Sequence, residues 1–183
     1  RHCTERLGVE HVKTNVTQIN AAENGDILSV TTDSAGAIAG DLFIYCTGTN
    51  SLLLGEYFEG PFQSQQAYLF NDTALAAQVP YANDDEAIQS CTHATAQTAG
   101  WVWDIGLPTR RGIGHVYSSA HISDDEAAAQ LMAYIKATAG EPAAASVAPR
   151  KIAFAPGHRQ KFWHRNCVAV GMSSGFIEPL EAS

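Results

Sequence analysis

The run Gly40-Asp41-Leu42-Phe43-Ile44-Tyr45-Cys46-Thr47-Gly48 is apolar through its middle without alternation, and this limits the possible folds more than any other feature. A strand with one wet face alternates. A continuous apolar run suits a strand covered on both faces, as in a parallel sheet, and Gly48 closes it sharply. A hairpin precedes it. Val9 to Asn20, with Val12, Val16 and Ile19 at apolar positions, reads as a strand; Asn24-Gly25-Asp26 is a turn, and Ile27 to Thr32 is the return strand. A second turn around Ser34-Ala35-Gly36 leads into the apolar run.

Farther along, Pro61, Pro80 and polar clusters break residues 52–98 into short pieces that read as mixed strands and loops. Gly100-Trp101-Val102-Trp103-Asp104-Ile105 alternates, and Gly112 to Ser119 is its expected hairpin partner across Pro108 to Arg111. Ser123-Asp124-Asp125-Glu126 is a capping box that predicts a helix to about Ala139. Gly140 to Pro149, rich in Ala and Pro, reads as a surface connection. Ile152 to Phe154, the Pro156-Gly157 turn and Phe162-Trp163 suggest another hairpin, followed by a strand at Cys167 to Val170. Strands dominate beside one clear helix, and no composition shift marks a linker. Residues 1–183 therefore read as part of a single mixed α/β (α+β) domain, sheet-rich.

The formal charge of -8 lacks the basic footprint that nucleic acid or an anionic membrane selects. No apolar stretch approaches the roughly 20 residues of a membrane span. The opening residues hold no signal core, and Met132 and Met172 are the only methionines, so the native start is expected upstream. Cys3, Cys46, Cys91 and Cys167 form no Cys-x-x-Cys pair and read as buried thiols of a reducing, cytoplasmic compartment rather than a disulfide or zinc site. The seven histidines show neither triad nor ligand spacing, read as surface or satisfied polar residues, and receive no role.

The last stretch, Asn166 to Ser183, runs from a strand through small residues to Pro179, a residue favoured at the first helical position. Free amides at such an end attract anions, and small side chains let a ligand reach the backbone. By residue type alone, a plain strand-to-helix connection with two solvated glutamates is the alternative. Resemblance separates the two. Gly171-Met172-Ser173-Ser174-Gly175-Phe176-Ile177-Glu178-Pro179-Leu180-Glu181 resembles the segment of the flavin-dependent tryptophan halogenases that lies beside the flavin and contributes a catalytic glutamate. Trp101-Val102-Trp103-Asp104-Ile105 resembles their Trp-x-Trp-x-Ile-Pro pattern, with Gly106 where the family has proline. Asp41 to Gly48 resembles the strand and glycine turn of their flavin-binding domain.

That resemblance implies an FAD-binding, flavin-monooxygenase-like fold, incomplete in this chain. The family's Gly-x-Gly-x-x-Gly fingerprint is not present, and none of Lys13, Lys136, Lys151 and Lys161 matches its catalytic lysine. It further implies that the full-length protein uses reduced FAD, dioxygen and chloride or bromide to make hypohalous acid and halogenate an aromatic, tryptophan- or indole-like substrate. Glu181 would be the catalytic carboxylate facing the substrate. Val16, Gly48, Trp101, Trp103, Met172, Ser173, Ser174 and Gly175 would border the flavin, Val16 through its backbone at the adenine. Ser183 stands at the family's threonine position and would meet the halide. A flavin reductase supplying reduced FAD and a homodimeric full-length protein are the implied partners. The alternatives are a flavin monooxygenase or oxidase on the same fold, which Gly106 favours and the paired tryptophans with Glu181 oppose, and a non-catalytic incomplete domain.

Overall fold

The computed structural model describes residues 2–83 and 85–177. In chain order it forms α1 (His2–Arg6), β1 (Val16–Ala21), β2 (Ile27–Thr32), β3 (Gly36–Ala39), β4 (Phe43–Tyr45), β5 (Phe62–Ser64) and β6 (Thr73–Pro80). There follow β7 (His93–Gln97), β8 (Gly100–Leu107), β9 (Arg110–Tyr117), α2 (Asp124–Ala139), α3 (Glu141–Ser146) and β10 (Arg150–Ala153). The chain then forms β11 (Gly157–Arg159), β12 (Trp163–His164), β13 (Cys167–Ala169) and β14 (Gly175–Phe176). The architecture is mixed α/β, and the described residues gather into two compact units: residues 2–63 with 159–175, and residues 64–158 with 176–177.

In the first unit, β4 pairs in parallel with β13, Phe43 opposite Cys167 and Tyr45 opposite Ala169, and β12 adds an antiparallel edge. The apolar run thus pairs in parallel as it predicts, but it is not covered on both faces in this chain: Leu42 and Ile44 are exposed, at 48% and 64%, and only the Phe43 and Tyr45 side enters the core. Antiparallel β1, β2 and β3 form a separate sheet. Asn166 joins the two. Its side-chain amide accepts from the Ile27 N–H at 2.9 Å and donates to the Ile27 carbonyl at 2.8 Å, acting as one more strand rung, and its Nδ2 also donates to Asp41 O at 3.2 Å. Ile27, Tyr45, Leu53, Leu54, Cys167 and Ala169 close over this junction as a core, and each large aliphatic side chain so buried contributes roughly 1.5–3 kcal/mol.

In the second unit, five antiparallel strands lie in the order β10-β6-β9-β8-β7. α2 is held at its start by the capping box, with the Glu126 N–H donating to Ser123 Oγ at 3.2 Å and the Ser123 N–H to Glu126 Oε2 at 3.2 Å. Its buried residues Ala127, Leu131 and Ile135 recur every fourth position and so make one stripe. That stripe packs on Leu75, Ala77, Val79, Val102, Ile113 and Tyr117. Tyr117 also donates to Asp124 at 2.6 Å, fixing the helix start to the sheet. Toward the helix end, Arg111 grips Asp104 through Nε at 3.0 Å and through Nη2, and reaches the Thr138 carbonyl at 3.1 Å. Tyr134 donates to the same carboxylate at 3.1 Å.

Several expectations are corrected. β1 begins only at Val16, so residues 9–15 are not strand. Residues after Gly36 form a third strand rather than only a turn. Within 140–149 lies α3, whose Ala144 is buried, because Pro142 starts a short helix that Ala143 to Ala145 continue. Ile152 pairs with Ala74 on β6, not with Phe162-Trp163; Trp163 instead turns at Arg165-Asn166 to pair with Val168. Cys46 and Cys91 are exposed, and only Cys167 matches the buried-thiol expectation among the described cysteines. No helix among the described residues is long and apolar enough to cross a membrane.

The Asp104–Arg111 pair predicts an asymmetric mutational response. Both side chains are about nine-tenths buried, at 9% and 12% exposed, so Asp104→Ala strands a buried guanidinium. It should cost about 3–5 kcal/mol in urea unfolding of the full-length protein. Tyr134→Phe removes one hydrogen bond and should cost about 1 kcal/mol. Equal losses would mean that Asp104 is not the charge partner.

Candidate functional site

Parallel strands leave their carboxyl ends side by side, and the turns that follow them are the usual place for a ligand in an α/β sheet. Here both strands end in glycine turns. Gly48 (φ +68°) follows β4 and Gly171 (φ +60°) follows β13, and a Cβ on either would meet nothing within 4 Å. A left-handed glycine facing open space leaves the backbone bare to an approaching group.

Ser51 ties the two turns together. After a 3₁₀ turn at Gly48–Asn50, Ser51 adopts φ +49°, and a π-helical turn runs from Leu52 to Tyr57. Thr47 Oγ1 accepts the Leu52 N–H at 2.9 Å, and Tyr45 Oη accepts the Leu54 N–H at 2.7 Å. These bonds fold the loop back so that Ser51 Oγ donates to the Ser173 carbonyl at 2.8 Å, with Tyr45 Oη 3.4 Å from that hydroxyl. The Val170 N–H donates to Tyr45 O at 3.1 Å, and Ser174 Oγ donates to Gly171 O at 2.7 Å. Ser173 Oγ is buried and meets no hydrogen-bond partner. A buried hydroxyl left unmet is uncommon and costs about 1–3 kcal/mol, so it marks a place where a further polar group is expected.

Of the residues expected at the site, Gly48, Ser173, Ser174 and Gly175 share this loop pair, and Met172 stands exposed on its 3₁₀ turn. Val16 does not join them. It pairs with Thr32 at the end of the β1–β2 hairpin opposite to Ile27, the end that enters the core. Trp101 and Trp103 belong to the second unit, on the face of β8 opposite Val102 and Asp104, with ring centroids 6.3 Å apart at 63°. Gly114 makes room for them: a Cβ there would lie 2.1 Å from the Trp103 ring. Gly106 also has a local reason, since a Cβ would meet Ile88 and the Gln89 backbone at 3.0–3.1 Å. Glu181 and Ser183 lie outside the described residues. Ser51 and Tyr45 were missed by sequence reasoning, because nothing in Tyr45 or in the polar Asn50-Ser51 step announces a bond to a residue 122 positions away.

Two buried groups show how the environment sets charge. Burial, with Asp26 adding to it, pushes the Cys167 thiol from 9.0 to about 11. Burial also lowers the basicity of His115, against a smaller opposing contribution from Ala127 O, which lies 3.1 Å from Nδ1. The Nε2 of this histidine has no partner, which corrects the expectation of a surface or satisfied ring. Among the described residues, no three His, Cys, Asp or Glu side chains gather as a metal site.

Comparison with known proteins supplies the context. The tryptophan halogenase family model matches residues 1–183. The chain is 43% identical over 176 residues to the 7-chloro-L-tryptophan 6-halogenase of Kutzneria sp. (strain 744), covering 96% of this chain and 33% of that protein. It is 37% identical to the tryptophan 7-halogenase of Lentzea aerocolonigenes, covering 100% of this chain and 34% of that one. A crystal structure of a tryptophan halogenase from Shewanella frigidimarina superposes with a TM-score of 0.90 at 53% identity, covering 99% of this chain and 34% of that one. The chain thus spans about a third of the length of the relatives it matches.

The raised thiol pKa has a direct readout. At about pH 8, a maleimide should label exposed Cys46 and Cys91 quickly, while Cys167, with roughly 100-fold less thiolate than an ordinary cysteine, should label only after unfolding. Because the folded value is raised, the stability this thiol contributes is complete below pH 9.0 and is lost as pH rises through about 11. Rapid native labelling of Cys167, mapped by peptide mass spectrometry, would contradict its burial.

Proposed function

The chain belongs to the tryptophan halogenase family, and from that premise we propose that the full-length protein is a flavin-dependent halogenase acting on an aromatic, tryptophan- or indole-like substrate, with this chain supplying part of the flavin site and one catalytic carboxylate. Residues 1–183 are read as an internal part of a single halogenase domain. The observation that carries the reading is the parallel β4–β13 pair, whose two glycine turns meet through Ser51 and the Ser173 carbonyl.

These residues fit FAD. The Ser173 hydroxyl is buried with no partner, and Gly48 and Gly171 leave open space where a side chain would stand; a flavin ring edge offers the acceptors and flatness such a place takes. When bound, reduced FAD supplies the oxidation of chloride or bromide by dioxygen. In this reading Gly48, Met172, Ser173, Ser174 and Gly175 hold the cofactor, and the Val16 backbone meets its adenine. Trp101 and Trp103 exclude water with apolar surface. Ser183 donates its hydroxyl to the halide. Glu181 steadies the positive charge that develops on the aromatic ring and accepts the ring proton. A flavin reductase, encountered transiently, supplies the reduced cofactor, and the full-length protein works in the cytoplasm, with a homodimer compatible with this reading.

Two glutamates in Glu178-Pro179-Leu180-Glu181 allow a clean test in the full-length protein. Glu181→Gln keeps size but removes charge, so halogenated product should fall by about two or more orders of magnitude while flavin affinity and flavin reoxidation persist. Glu178→Gln should not abolish product selectively. Undiminished product from Glu181→Gln would overturn the catalytic assignment.

A further inference from the structure

We propose that the face of the five-stranded sheet opposite α2 and α3 carries a binding site for a planar aromatic carboxylate, built by Trp103, Arg110, Arg150 and a floor of small residues. Strand register creates the floor. Arg150, Ala76, Gly114 and Trp103 stand opposite one another in one row across β10, β6, β9 and β8, and Gln78 faces Gly112 in the next. The Trp103 indole lies over Gly114, so the open floor of the trough is Ala76 and Gly112, with Arg150 on one side and the indole on the other. Arg110 shares this face, two positions before Gly112, beside the turn that joins β8 to β9.

The cleft here has a volume of about 710 Å³; Trp103, Arg110, Gly112, Gln78 and Arg150 line it from this face, and it extends past the edge of the sheet to Ser146, Val147 and Ala148 at the end of α3. That volume lies in the range of small-molecule sites and far exceeds the needs of a single inorganic ion. Trp103 offers an aromatic surface for a planar ring to pack on. Arg110 Nε is buried and meets no acceptor. An orphaned guanidinium N–H in a cleft asks for an anionic oxygen, and arginine meets a planar carboxylate with paired, charge-assisted bonds. Arg150, exposed at the opposite rim, adds a second positive charge.

No acidic side chain is among the described residues lining the cleft. An ammonium group would therefore find no counter-charge, and a zwitterionic amino acid is a poorer ligand than a simple aromatic acid. The site differs in this respect from one built for an amino-acid substrate, and it stands without the halogenase reading.

The experiment uses the full-length protein and two isosteric probes, 2-naphthoate and neutral 2-naphthamide, titrated by isothermal calorimetry. Saturable binding of the acid is expected, with the amide at least about tenfold weaker. Arg110→Gln and Arg150→Gln should bring the acid to the level of the amide and leave the amide unchanged. If either variant fails to fold, Gly112→Leu replaces it: a Cβ there meets only Leu107, at 3.8 Å, so the sheet should tolerate a side chain that fills the trough, and binding of both probes should vanish. Equal affinity for acid and amide, undiminished acid binding in folded variants, or no saturable binding at all would each overturn the proposal. The last result would mean that another part of the full-length protein fills the trough.

Discussion

The parallel pairing of Phe43–Tyr45 with Cys167–Ala169 is the contact on which the first unit depends. It joins segments so far apart that the Ser51 to Ser173 hydrogen bond spans 122 positions. Closing a flexible loop of that length costs roughly 4 kcal/mol in chain entropy, a cost that grows only slowly with further length. Three rungs of sheet offset little of this alone. What makes the pairing stable is the core that it organises, with Ile27, Leu53 and Leu54 closing over Cys167, and the Asn166 amide linking β2 to the same place. Both glycine turns inherit their positions from it. A fault anywhere in this pairing would separate Ser51 from Ser173 before it altered either turn locally.

The second unit uses the two sides of one strand for different ends. Along β8, Val102 and Asp104 face the helices, one as core and one as the buried partner of Arg111, while Trp101 and Trp103 face away. The five-residue run that resembles a family pattern therefore mixes two kinds of constraint. Its aromatic positions make a surface, and the residues between them hold the sheet to α2.

Local signals were legible where the physics is local. The Ser123 to Glu126 capping box, the Asn24-Gly25-Asp26 hairpin and the β8–β9 pairing are each decided by residues a few positions apart, and each stands where the spacing predicts. The continuous run before Gly48 was readable as a parallel strand, but its lack of alternation overstated its burial, since Leu42 and Ile44 are exposed. Partner choice was not readable. Ile152 carries no mark that selects Ala74 over Phe162, since a short apolar strand suits any edge. Nor was the exposure of Cys46, which continues the exposed positions Leu42 and Ile44 at the spacing of two. At the candidate site, glycine and serine positions could be named from the chain, but the bond that unites them depends on Ser51, a residue without any pattern of its own.

The contact between Trp103 and Gly114 also carries a history. Because a methyl group on residue 114 would fall inside the indole, the two positions are not free to drift separately. A lineage can shorten Trp103 first and keep a serviceable sheet, after which residue 114 is released to vary. The reverse order passes through an intermediate in which the indole is driven off its seat. Descent therefore has a direction here: glycine at 114 can outlast the tryptophan it accommodates, whereas the tryptophan cannot outlast the glycine.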